Sequence, residues 1–567
     1  MSKQRSVQIG PWPAGINNSA HDHALPDGAC RDALNVDFAD DGRALSRPGY
    51  SETVAIDNGH SLMTIGGKTF IAIGTELHVI TGMSPLVTTL LRTGLYILPI
   101  SYAERGGEVW WSNGVQSGRC GPDNTDHPWV TPAPANITEV FAGVGTLPAG
   151  SYRLAITHSM SDGEESAASD IEAFDLVFPG SIDITLPAAT AGTDSFNIYC
   201  SRADGKVLQK YSTVSAETAS VSITANPDGR QLRERAFLRP LPAGDSICFL
   251  GGRLLSMKGE FIYYSAPYDY GLHNPDEDYL VLGASGSIMA PVETGLFVAA
   301  DRTWFYAGAD IKAADPVEVM PVGAVSGTAF RHPDNEAVGW FSADGLAIGS
   351  PDGSVALPQK KLGFIAPAAL TGSAWIRQRD GMANAVFSLD GTSTYSKQVA
   401  AEFTAARILY NDDSTTMSVN LATGATARYG EWHFNSCATF GGDEYGCNSA
   451  GLSLLEGDTD MGAEIEVVIH CGRVGFGSLK IKATECVYVS GQSSDALVVD
   501  IILPDDTVYS YPARTFSTTH AVTRHDGMKG LMNNRQSSFL VAIKNQDGAS
   551  MEVSSATVLI NESSRLI

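Results

Sequence analysis

The stretch VGWFSADGLAIGSPDGSVAL, residues 338–357, decides the fold class. It reads strand, turn, strand, turn, strand. Asp344-Gly345 and Asp352-Gly353 tolerate positive φ and so close tight hairpins. The runs between them are short and apolar or β-branched, as strands are. The same grammar recurs in ICFLGGRLLSMKGEFIYYS (247–265), in GLFVAADRTWFYAG (295–308), and in KTFIAIG followed by ELHVITG (68–82). Asp-Gly occurs eleven times along the chain, beginning at Asp27, Asp41, Asp162, Asp204, Asp228, Asp344, Asp352, Asp380, Asp390, Asp526 and Asp547. Asn58 and Asn113 add two Asn-Gly pairs. Long helical periodicity is nearly absent; residues 83–91 and 29–36 are the two segments that read as short helices. The expected class is all-β.

Working outward, the texture changes several times. Residues 1–50 carry Pro11, Pro13, Gly15, Pro26, Pro48 and Gly49 and read as an extended N-terminal segment. Residues 51–146 hold paired short strands and end in the break DNTDHPWVTPAPANIT. Residues 147–225 form a block of their own, with six or seven strands at the spacing of a small β-sandwich. Its pattern, Gly150-Ser151-Tyr152-Arg153-Leu154 with Asp162-Gly163-Glu164-Glu165-Ser166 and Ile198-Tyr199, resembles a fibronectin type III-like module. This block has four basic and ten acidic residues. Residues 226–430 return to hairpins of similar size, which suggests propeller blades split around the sandwich. Residues 431–567 read as a C-terminal β-sandwich.

Composition narrows the function classes. The chain has 567 residues, 43% of them apolar, and a formal charge of −25. So acidic a chain is not a general duplex binder, which needs clustered cations. The opening MSKQRSVQIG has no apolar signal region, and no run of 18 apolar residues occurs. The expectation is a soluble protein made in the cytoplasm, without membrane insertion. Eight cysteines without a C-x-x-C pair read as reduced core thiols.

Candidate chemistry is sparse. His21-Asp22-His23 has metal-ligand spacing on a strand, but nothing marks a third ligand. Gly457-Asp458-Thr459-Asp460-Met461-Gly462 offers two carboxylates at i, i+2, yet an EF-hand register fails, and a turn is the plainer reading. His273-Asn274-Pro275-Asp276-Glu277-Asp278 reads as a solvated acidic loop. Ser388-Leu389-Asp390-Gly391-Thr392 approaches a sialidase box, with its glycine one place early and no Trp. The aromatic runs Trp110-Trp111, Tyr263-Tyr264 and Trp304-Phe305-Tyr306 fit either sugar platforms or blade-to-blade core, the latter more simply. Arg230, Arg233, Arg235 and Arg239 form the one local basic density. No motif of fixed spacing for a nucleophile, a zinc protease or a nucleotide loop is present. No catalytic residue, metal or cofactor is assigned, and no enzyme activity is expected.

Four places carry a family resemblance. They are Gly15-Ile16-Asn17-Asn18; Ala33-Leu34-Asn35-Val36-Asp37 with Gly42-Arg43 and Arg47-Pro48-Gly49; Phe249-Leu250-Gly251-Gly252-Arg253-Leu254 with Tyr263-Tyr264-Ser265; and Phe341-Ser342-Ala343-Asp344-Gly345-Leu346. With the closing Lys544-Asn545-Gln546-Asp547-Gly548, the chain resembles the tail-hub or nozzle proteins of short-tailed double-stranded-DNA bacteriophages. The resemblance implies a β-propeller body with added β-domains, a virion location, and six copies in a ring below the head-to-tail adaptor. It further implies tail fibre or needle proteins as neighbours and transient passage of genomic DNA. A receptor- or glycan-binding tail protein and a propeller glycosidase are the alternatives. Under the ring reading, residues 1–50 pack along the propeller or on a neighbouring subunit. Deleting residues 1–30 should then weaken assembly more than monomer folding.

Overall fold

The computed structural model describes residues 3–17, 19–20, 24–160, 165–190, 192–232, 238–358, 371–390, 416–474, 480–495, 497–504, 507–516, 519–523, 535–536 and 538–566. These residues contain no α-helix, and antiparallel sheets dominate. The two segments read as short helices are strand instead. Glu76–Met83 turns into Leu86–Arg92, and Ala29–Cys30, Asp32–Leu34 and Val36–Phe38 are short strands. Local helical spacing over one or two turns loses to tertiary pairing with an adjacent strand.

The stretch 338–357 lies in one blade. Phe330–Arg331, Val338–Ser342, Gly345–Gly349 and Val355–Ala356 form a four-stranded antiparallel meander. Trp340 turns to one side and meets Phe297, ring centroids 5.3 Å apart. Its neighbour Phe341 turns to the other side and meets Phe387, also at 5.3 Å. Successive strand residues face opposite ways, so a strand buried on both sides is continuously apolar rather than alternating. That is why VGWFS shows no alternation although it is a strand.

Seven such sheets form a propeller. Blade 1 is Gly59–Ile65 to Leu86–Arg92, and blade 2 is Ser101–Arg105 to Asp126–His127. Blade 3 is Ser246–Leu250 to Tyr279–Val281, blade 4 is Ile288–Val292 to Pro316–Met320, and blade 5 is the meander just described. Blade 6 holds Thr371–Arg379, Met382–Asp390, Thr416–Asn420 and Thr426–Tyr429. Its first hairpin turns at Asp380-Gly381, φ 51° and 78°, a two-residue turn with both centres left-handed. Blade 7 takes Ser436–Phe440, Asp443–Asn448 and Gly451–Leu454, and is completed by Ser51–Ala55 from the other end of the chain. The first strand of each blade packs on the next blade, and blade 7 returns to blade 1, so the ring closes. The propeller therefore runs to Leu454, past the division read at 430. The link before blade 7 carries Trp432, which is wholly buried.

Between blades 2 and 3 sits a seven-stranded sandwich. Glu139–Leu147, Gly180–Thr185 and Ser220–Ile223 form one sheet. Glu172–Leu176, Gly150–Met160, Thr193–Cys200 and Gln209–Ser215 form the other. Alternate residues, including Tyr152, Leu154, Ile156, Ile182, Ile184, Phe196 and Ile198, fill the space between them. The three-plus-four arrangement suits a fibronectin III-like module. The unit starts at Glu139 rather than 147, because Leu147-Pro148-Ala149-Gly150 is the bend between its first two strands. Its core is self-contained. Residues 136–232 expressed alone should give one cooperative thermal transition; a broad, non-cooperative melt would refute its independence.

The C-terminal unit is also two sheets face to face. Lys480–Ser493 and Met551–Leu566 form the spine of one; Val468–Val474, Phe539–Asn545 and Leu497–Ile502 form the spine of the other. The N-terminal segment belongs to this unit. Lys3–Ile9 pairs along Met551–Leu566, with Lys3 opposite Glu562 and Ile9 opposite Ala556. Asp32–Leu34 bridges Val468–Val474 and blade 6, so blade and sandwich share one nine-stranded sheet. Trp12, Ile16, Cys30, Val36 and Phe38 lie in the core of the sandwich. The segment meets the propeller at blade 6, through Asp32–Leu34 and Asp37, but most of it packs into the sandwich rather than along the propeller as expected. The segment lacks apolar periodicity because several short strands each deliver one or two core side chains.

Candidate functional site

Most of the singled-out residues have structural employment. Both carboxylate oxygens of Asp460 accept from Arg47, at 2.9 and 2.5 Å, so the Gly457–Gly462 turn is an ion-pair anchor. In the 273–278 loop, Asp278 accepts from the Asn274 backbone N–H at 2.8 Å, and Lys312 Nζ lies 2.9 Å from Glu277. Trp110, Trp111, Tyr264, Phe305 and Tyr306 are buried blade core. Tyr263 and Trp304 pack against that core, half-buried. Arg230 pairs with Glu165, which also accepts from Thr157 and Tyr199 at 2.6 Å each. The Arg239 guanidinium donates to the Leu238 carbonyl at 3.1 Å. Ser388 and Leu389 lie on the second strand of blade 6. His21, Asp22, His23, Arg233, Arg235, Gly391 and Thr392 lie outside the described residues. Among the described residues no group of three or more His, Cys, Asp or Glu is placed to hold a metal ion.

Two features stand out instead. The first is a buried polar junction between blade 6 and the C-terminal sandwich, built from the 32–49 motif. Asp37 accepts from Arg377 and Tyr429, and from Asn384 and Ser418 at 3.0 Å each. Asp32 accepts twice from Arg428, at 2.9 and 2.6 Å. Burial opposes the charge on Asp32, but the Arg428 guanidinium outweighs it and holds the carboxyl below its ordinary value. Beside them, burial pushes the His470 imidazole down to about 4, so it is neutral at pH 7. Arg47 donates to Asn35 Oδ1 at 2.8 Å and to the Gly430 carbonyl at 2.7 Å, and its guanidinium lies 4.7 Å from the Trp432 ring centroid. Asn35 holds φ 56°, a conformation asparagine tolerates better than most residues. Gly49 is required because a Cβ there would lie 2.1 Å from the Thr459 carbonyl oxygen.

The second feature is a cavity of about 780 Å³ lined mainly by the first strands of five blades. Its walls come from blades 1, 2, 5, 6 and 7, through His60, Met63, Tyr102, Phe330, Trp375 and Glu444 among others. Much of the polar lining joins blades to each other. Ser436 Oγ accepts from the Leu62 N–H at 2.9 Å, and Asn435 donates to the Gly59 carbonyl at 2.8 Å. Ser61 Oγ lies 2.9 Å from His60 Nδ1, but it also accepts from the Ile100 N–H at 2.9 Å. No carboxylate among the described residues orients the His60 ring, so a complete Ser-His-acid relay is not formed. No local signal exposes this lining in the sequence, because the inner strands are far apart along the chain.

Glu444, on the second strand of blade 7, faces blade 6 beside this cavity. Burial raises its carboxyl to about 7, against the pull of Arg377 and the Gln378 backbone N–H. A carboxyl raised in the fold stabilises the protein below its unfolded value, and that contribution is lost as pH rises toward 7. Glu444→Gln should therefore leave stability at pH 4.5 nearly unchanged and raise it at pH 8 by about 2 kcal/mol. Denaturation at the two pH values checks this; equal effects at both would refute it.

No family model matches the chain, and no curated protein matches it. Among solved structures, the chain is similar to the computationally designed Ika8 protein, at 8% identity over 72% of this chain and 99% of that one, TM-score 0.31. It is similar to virginiamycin B lyase from Staphylococcus aureus, at 10% identity over 80% and 99%, TM-score 0.29. It is also similar to BamB from Moraxella catarrhalis, at 9% identity over 71% and 98%, TM-score 0.27. The blade count and the closure rest on the strand pairing of this chain itself.

Proposed function

We propose that this chain is a structural virion protein of a short-tailed double-stranded-DNA bacteriophage. In this reading it forms the nozzle or hub ring that closes the neck and conducts DNA during ejection. One observation carries the reading: where the opening resemblance motif falls. Asp32, Asn35, Asp37, Arg47 and Gly49 are buried and join propeller to sandwich. A motif spent on rigidity fits a mechanical part better than an enzyme. The expected neighbours are five further copies, the head-to-tail adaptor, and tail fibre or needle proteins.

Charge supports the same reading. At −25 per chain, six copies carry about −150. Part of that charge facing a lumen would keep phosphate from adhering. The Debye length of about 8 Å at physiological salt limits this to a thin layer at the wall. The ring reading requires no turnover of polysaccharide. Native mass measurement of the full chain tests the copy number. A species near 360 kDa, six times 60.0 kDa, is expected. A trimer would favour a fibre, and a strict monomer at high concentration would refute self-assembly.

A further inference from the structure

The cavity between the first strands of the blades is open to solvent and mostly apolar. Three of its lining side chains are also solvent-exposed, Met63 by 43%, Ile97 by 56% and Leu98 by 38%, and they mark its mouth. Further in, Ile100, Phe330 and Trp375 continue the wall. At about 780 Å³ the space lies within the usual range of a small-molecule site. Much of the polar side-chain lining is already used between blades. Besides the bonds of Ser61, Asn435 and Ser436 given above, Tyr102 donates to the Ser61 carbonyl at 3.1 Å, and Ser373 to the Phe434 carbonyl at 3.0 Å. The ionisable groups favour neither sign of charge. Arg331 and Glu444 oppose each other, and burial holds the His60 imidazole below its ordinary value, so it is neutral at pH 7.

The strand edge of blade 6 adds two bare backbone donors. The two-residue turn at Asp380-Gly381 pairs Arg379 with Met382, so Arg379, Arg377, Trp375 and Ser373 point their N–H groups at the next strand of the blade. The N–H groups of Gly372, Ala374, Ile376 and Gln378 therefore point the other way, out of the sheet edge. The two ends of that row are taken. Gly372 donates to the Ser326 carbonyl at 2.8 Å, and Gln378 donates to the Glu444 carboxyl. Between them, Ala374 and Ile376 both line the cavity and have no such acceptor among the described residues. Two residues along one strand put these donors about 7 Å apart.

We propose that this cavity binds an uncharged, largely apolar carbonyl compound, such as an aryl ketone, whose oxygen accepts from the Ala374 or Ile376 N–H. The carbonyl gives a bare donor its partner, while the carbon body covers the apolar wall. A charged ligand would exchange water for apolar walls whose two charges cancel. A strand added to the edge by another protein fits less well, because two free residues fall short of the roughly three to ten of ordinary strands. The site needs one chain only, so it stands or falls separately from the ring.

The test titrates the full chain with prodan, an uncharged naphthyl ketone whose emission moves to the blue away from water. A saturable blue shift at one prodan per chain is expected. Ala374→Pro removes one bare donor and no ladder bond, because that N–H leaves the sheet edge, and it should weaken binding about threefold to tenfold. Ile97→Asp with Leu98→Asp, at the exposed mouth, should weaken binding at least about tenfold at an unchanged melting temperature. Anilinonaphthalene sulfonate, of similar size but anionic, should not displace prodan. The absence of a saturable shift overturns the proposal, as does wild-type affinity in the mouth variant or equal displacement by the sulfonate. A folded Ala374→Pro chain that binds like the wild type overturns the donor's role. If that variant does not fold, the mouth variant and the sulfonate decide the outcome.

Discussion

Removing residues 1–30 is expected to unfold the C-terminal sandwich of the isolated monomer. The deletion takes away Lys3–Ile9, which pairs with Met551–Leu566 along seven residues. It also empties the space filled by Trp12, Ile16 and Cys30, all of them buried. A Trp-sized void alone costs about 3–5 kcal/mol, and the exposed edge of the C-terminal strand adds an aggregation hazard. The total loss, above about 5 kcal/mol, rivals the whole stability of a domain. Calorimetry should show the transition of the C-terminal unit missing or far lower, with the inserted sandwich still melting. A truncated chain that melts like the full one would contradict the assignment. This expected result places a larger cost on monomer folding than the sequence-based expectation did, in which the deletion weakens assembly more than folding.

The second large effect is expected at Asp37. Asp37→Ala leaves the Arg377 guanidinium buried without its carboxylate, and strips Tyr429, Asn384 and Ser418 of their acceptor. Breaking one partner of a buried ion pair costs about 3–5 kcal/mol, whereas replacing both by apolar groups is often far milder. Asp37→Ala should therefore destabilise strongly. Arg377→Met added to it should recover part of the loss. Chemical denaturation of the single and double variants measures this. A single variant that loses less than about 1 kcal/mol would contradict the ion-pair role, as would a double variant worse than the single.

The all-β class was legible because hairpin chemistry is local: a run such as VGWFSADGLAIG carries its turn and both strands within a dozen residues. The inserted block was legible for the same reason, since its seven strands are consecutive. Three things were not. Blade 7 is closed by Ser51–Ala55 pairing with Gly451–Leu454, hundreds of residues further along the chain, and no local pattern encodes that. The N-terminal segment enters a core made largely by residues from Ile465 onward, so its apolar residues lack a period of their own. The partners of Asp37 and Asp32 lie on blade 6, where Arg377 and Arg428 look like ordinary surface arginines within otherwise alternating strands. The acidic turn at 457–462 shows the converse: it resembles half a cation site, but its buried carboxylate serves Arg47.

Electron cryomicroscopy of the assembled full chain tests the ring most directly. The account predicts six-fold class averages, with the seven-bladed propeller of each subunit visible, a central opening wide enough for a DNA duplex, and net-negative residues on its wall. Particles without rotational symmetry, a closed centre, or a wall lined by net positive charge would contradict it.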